Sequence, residues 1–208
     1  MRATALSFQV ALLASALATI LGTLAVLVLE RQRLPGSAAV RVLVTAPMIV
    51  PHIFLAVGIF VFAVRLGAAG NALTLACAHA AIALPFVVLI VGAAVRQLDP
   101  TLERAARVLG AGPLLAFKVA TLPGLLPSIV AASVFSFFVS FDELIIAEFL
   151  MSGRETLPMR IWADLKLQLN PTVAAVSTLL IAVTVVALGG AEWLRRRATQ
   201  PDSITKAA

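Results

Sequence analysis

The chain has 208 residues, 61% of them hydrophobic and 12% charged, with a net charge of +6 and a mean hydropathy of +1.05. A soluble domain of that length could not bury so much apolar surface, whereas a bilayer accepts it directly. The positive charge does not point to nucleic acid, because the basic residues stand at the ends of apolar runs rather than in one patch with interleaved aromatics; the composition predicts an all-α, polytopic transmembrane helix bundle that contacts lipid.

A helix needs about 20 apolar residues to cross roughly 30 Å of hydrocarbon, and five runs approach that length. The first covers residues 6–29, where Ala14 and Ala18 are spaced for close contact with another helix. It is too long for the apolar core of a cleavable signal, and it leads into Glu30 and arginines rather than a small-residue cleavage site. The second run, 42–64, contains Pro47 and Pro51, and the third, 72–95, contains Pro85. Both are expected to be kinked helices whose neighbours satisfy the freed carbonyls. His52 and His79 each stand without a second ligand at metal-binding spacing, so polar helix packing is expected and no metal. Cys77 is the sole cysteine, which rules out an internal disulfide.

The longest stretch that is neither oily nor a tail follows, at residues 96–124. Asp99 can cap a helix, Pro100 can take its first position, Glu103 and Arg107 stand four apart, and Gly110 can end it. Pro113 can start a second helix, with Leu114, Leu115, Phe117 and Val119 apolar beside Lys118, expected to stop before Leu122 and Pro123. Such a segment can lie against lipid or dock into a partner.

The fourth run spans 125–141 with an apolar continuation to 151, interrupted by Asp142, Glu143 and Glu148. Seventeen helical residues rise about 25 Å, which puts the first two carboxylates near a membrane boundary. They can line the outer part of a pathway and attract a cationic solute, or form an interfacial cap paired with Arg154 or Arg160. The fifth run covers 172–194, and Arg195, Arg196 and Arg197 stop it; Trp162 and Trp193 are expected at the two interfaces. If residues 30–41 are cytoplasmic, eleven of the sixteen lysines and arginines fall inside, as does the C-terminus. The expected organisation is a membrane region of residues 1–194, with 96–124 as its cytoplasmic loop, and a tail of 195–208.

That loop resembles the cytoplasmic signature of ABC-importer permeases, a Glu-Ala-Ala triplet followed by Gly and, after a fixed interval, by Ile-x-Leu-Pro. Ala105, Ala106, Gly110, Leu122 and Pro123 stand at this spacing, while Arg104 occupies the glutamate position with Glu103 one residue early, and Ala120 replaces the isoleucine. From Phe8 through Arg197 the chain is similar to the second permease of spermidine/putrescine-type importers, most clearly in SFDELIIAEFL, ETLPMRIW and LNPTVAAVSTLLI. The resemblance implies a bacterial inner-membrane subunit whose loop, including Glu103 and Arg104, couples to an ATP-binding subunit dimer. It also implies a second homologous permease, an extracytoplasmic solute-binding protein, and polyamine passage near Asp142, Glu143 and Glu148. Small side chains at Ala105, Ala106 and Gly110 would allow close approach, and Pro123 would set a rigid break between docking helix and span.

Permeases of this type commonly have six spans, so five with an inside C-terminus suggest that an N-terminal helix is missing; a genuine five-span chain is the alternative. No GxxxxGK[ST] phosphate loop occurs, which puts the expected ATPase on a separate polypeptide. No catalytic arrangement or cofactor motif is evident, so the chain is not expected to be an enzyme by itself. The competing function class is an ATP-independent carrier or channel whose loop merely lies on lipid.

Overall fold

Small side chains decide where the helices meet. Ala11, Ala14 and Ala18 are fully buried on α1 (Arg2–Arg31), opposite Ala76, Ala80 and Ala83 on α4 (Ala72–Gln97). Gly22 continues the α1 stripe, where a Cβ would come within 2.7 Å of the Val87 side chain. Only glycine permits that approach.

Large side chains do the reverse. Leu43, Phe54, Phe62 and Phe138 are all more than 60% exposed, an arrangement that water would penalise and lipid tails accept. The computed structural model describes residues 2–31, 36–167, 178 and 182, and residues 1–161 form one unit.

Among the described residues the regular structure is entirely helical. After α1 come α2 (Ser37–Thr45), a 3₁₀ turn at Ala46–Met48 and α3 (His52–Arg65). α4 is followed by α5 (Pro100–Val108), α6 (Pro113–Ala116), a π-helical turn at Phe117–Thr121 and α7 (Leu122–Phe141). α8 (Ile145–Leu150) and α9 (Leu157–Leu167) complete the order. The core is α1, α4 and α7 packed together, with α3 against α8 beside it.

Side-chain bonds fix the directions. Glu30 and Arg96 bring the C-terminal ends of α1 and α4 together, Ser15 donates to the Ser133 carbonyl at mid-height, and His79 reaches Ser140 at the far end of α7. α1 and α4 therefore run the same way and α7 runs against them.

Three helical stretches are long and apolar enough to cross a membrane, namely Arg2–Glu30, Ala72–Gln97 and Pro113–Phe141. The second expected span is not a gently kinked helix. It breaks by 102° between Ser37–Met48 and His52–Arg65, because Pro47 and Pro51 remove two donors within one turn. Pro85, with flanking turns buried on both sides, leaves α4 continuous. The fifth expected span, 172–194, with Trp193, the tail arginines and residues 195–208, lies outside the described residues.

Candidate functional site

At the end of the bundle where α1 and α4 finish, the loop forms the first expected helix. Asp99 accepts a hydrogen bond from the Thr101 backbone N–H at 2.8 Å, and that bond is the main cause holding its carboxyl below the ordinary carboxylate range. Pro100 takes the first helical position. Gly110 ends the turn with φ 94°, while the N–H of Ala111 returns to the Ala106 carbonyl at 3.0 Å. Nothing lies within 4 Å of where a Gly110 Cβ would stand, so the glycine serves the backbone turn rather than a close contact inside the chain.

Glu103 is the internal brace of this loop. One carboxylate oxygen accepts from Arg107 at 2.9 Å and the other from Thr121 at 2.8 Å, which joins α5 to the π turn beneath α7. Arg104, at the resemblance's glutamate position, faces outward, as does Ala105. At the tip Val108, Leu109 and Leu114 are each more than 80% exposed. A pocket of ≈ 550 Å³ lies behind α5, lined by Glu30, Arg96, Asp99, Glu103, Arg107 and others.

The second expected helix does not stop before Leu122 and Pro123. The N–H of Leu122 bonds to the Phe117 carbonyl, five residues back, and helix continues from Pro113 to Phe141. That wider turn makes room for the Pro123 ring, which in an ordinary α-turn would strike the carbonyl four residues before it. Pro123 is thus carried within a continuous rod and does not break it. Below it, a Cβ on Gly124 would come within 2.7 Å of the Leu98 side chain, so the loop's first residues lie directly on α7.

At the opposite end the three acidic residues separate. Glu143 is buried, its side chain 7% exposed, and Asp142 and Glu148 are exposed. Glu143 Oε2 stands 3.0 Å from His52 Nδ1, which must carry the proton for that bond, and Oε1 accepts from the Ile146 N–H at the start of α8. Glu143 is indeed a cap, but its side-chain partner is His52; Arg154 and Arg160 line a different pocket, of ≈ 770 Å³, with Arg2 and Glu155.

His79 also converges on this end. Its ring is fully buried, with Nδ1 2.9 Å from the Ser140 hydroxyl and Nε2 without a protein partner, as is the buried Ser136 hydroxyl one turn earlier on α7. Both histidines were set aside in sequence because each stands alone there, and they meet only across helices. A proline immediately before His52 was the available signal. Among the described residues no group of three His, Cys, Asp or Glu side chains could hold a metal ion.

A membrane bundle of this kind, with a braced loop at one end and a carboxylate corner at the other, matches the family described as binding-protein-dependent transport system inner membrane component over residues 18–200, and the chain belongs to it. It is therefore a multi-pass transport permease of the inner membrane. It is 35% identical to the putrescine transport system permease protein PotI of Escherichia coli strain K12, over 89% of this chain and 69% of that protein. The spermidine/putrescine transport system permease protein PotC of the same strain is 28% identical, over 95% of this chain and 75% of its own length. PotC of Haemophilus influenzae is 30% identical, over 86% and 70% respectively.

Proposed function

We propose that the chain is one of two transmembrane subunits of an ATP-driven importer for a polyamine such as putrescine or spermidine. The relatives' names supply the substrate class, and the exposed carboxylates of Asp142 and Glu148 suit a cationic cargo. Residues 96–124 face the cytoplasm, with the C-terminus on the same side. A dimer of ATP-binding subunits grips the loop, a second homologous permease completes the pathway, and a solute-binding protein delivers cargo at the acidic end.

The observation that carries this reading is the loop's construction. Val108, Leu109 and Leu114 expose apolar surface at the tip, while Glu103, Thr121 and the Leu98–Gly124 contact stiffen its base. A stiff base under an apolar tip can transmit a push from a partner. Arg104, Ala105 and Ala106 present the outer part of α5, Gly110 shapes its end, and Leu122 and Pro123 carry the displacement into α7. Closure of the ATPase dimer would then tilt α7 and expose the acidic end to the other side in alternation.

Gly110→Trp tests the docking. A side chain at φ 94° disfavours the turn by about 1 to 2 kcal/mol and adds bulk at the tip. The chain should still reach the membrane, but the ATP-binding subunit should no longer copurify with it. Normal copurification and ATP-dependent putrescine uptake in vesicles would remove the docking role, and uptake without nucleotide would favour the carrier class instead.

A further inference from the structure

The break in the second span and the corner after α7 enclose a pocket of ≈ 500 Å³ that no sequence motif marks. Its walls include Phe135, Phe138 and Phe141 from one face of α7, Asp142 and Glu143 from the corner, and His52 from the first turn of α3. Neighbouring rings hold two of these aromatics in place. Phe141 stacks on Phe137 at 5.6 Å and 19°, and Phe135 leans on Phe86 at 5.0 Å. The back of the pocket is fixed as well, since Glu143 is held by His52 and by the Ile146 N–H. Asp142, at the rim, is exposed.

Aromatic walls together with a carboxylate recognise one chemical class above others. Ring faces attract an organic cation and tolerate its methylenes, while a carboxylate supplies the charge that fixes an ammonium head. A neutral solute gains only the first contribution, and an anion is repelled. The geometry points to an alkylammonium subsite in this pocket, with Asp142 as the charged contact, the three phenylalanines as the wall, and the His52–Glu143 pair as the support that keeps the corner in place.

This inference rests on the polyamine reading for its biological ligand but not for its chemistry, and the two can be tested apart. Val139 lines the same pocket, and cysteine is close to it in size. In a Cys77→Ala background, with the full chain coexpressed with its transporter subunits in membranes, Val139→Cys would be reacted with a cationic trimethylammonium-ethyl methanethiosulfonate and with a neutral ethyl analogue. Each forms a mixed disulfide with the thiolate and expels methanesulfinate.

The cationic reagent should react about tenfold faster relative to its rate with a free thiol, through local enrichment. Asp142→Asn should abolish that preference, and Phe138→Leu should reduce it while leaving the neutral reagent's rate unchanged. Equal relative rates in the parent, or a thiol that neither reagent reaches, would overturn the subsite. Cationic preference without protection by putrescine would sustain the subsite and sink polyamine as its cargo.

Discussion

The two adjacent carboxylates at the α7 corner show how much neighbours decide. Glu143 turns inward to one histidine and one backbone N–H, and Asp142 stays in solvent, so a double neutralisation would confuse a structural loss with a functional one. Glu143→Ala should destabilise the detergent-solubilised chain by about 1 to 3 kcal/mol, the cost of leaving buried partners unpaired. Asp142→Asn should leave the melting temperature unchanged and selectively lower uptake of a divalent amine relative to a neutral solute. If melting shifted equally in the two variants, the division of labour would be wrong. Sequence alone predicted carboxylates near a boundary, but not which one is buried, because His52 lies 91 positions away and its approach depends on the break in the second span.

At the scale of elements, the route from the loop to the membrane is a continuous helix with one widened turn. Had Pro123 been a rigid break, its removal would disturb coupling. Because the π turn already accommodates the ring, Pro123→Ala should leave helix content intact and putrescine uptake within about twofold of the parent, a change of less than ~0.5 kcal/mol. A collapse of uptake with normal expression would restore the hinge. The first loop helix was legible down to its cap, first residue and closing glycine, since all three signals are local. The continuation through Leu122 and Pro123 was not, because a proline after an apolar turn ordinarily signals a stop and the compensating i to i+5 bond leaves no mark in composition.

The whole molecule keeps small side chains inside and large ones outside, and hydropathy alone found that architecture. Three of the expected runs coincide with uninterrupted helical stretches, and the one that breaks carries two prolines four residues apart. The alternation of directions among α1, α4 and α7 agrees with the placement of arginines on which the orientation was argued. A fluorescent protein fused after Ala208 should accordingly be fluorescent, and a cysteine placed at Gly67 should react with an impermeant reagent added outside intact spheroplasts; the opposite pair of results would invert the topology.

Glu30 accepts from Arg41 at 2.8 Å and from Arg96 at 2.6 Å through a single carboxylate oxygen, tying the finish of two long helices to the start of a third piece of chain. No comparable double clamp is recorded among the described residues at the far corner, where one histidine bridges a broken rod. A bundle fastened so unequally has its easy mode of deformation already chosen: it should splay from the loose corner and pivot about the cinched one. Raising ionic strength, which loosens half-exposed ion pairs, would then blur the pivot before it weakened the oily seams between the rods.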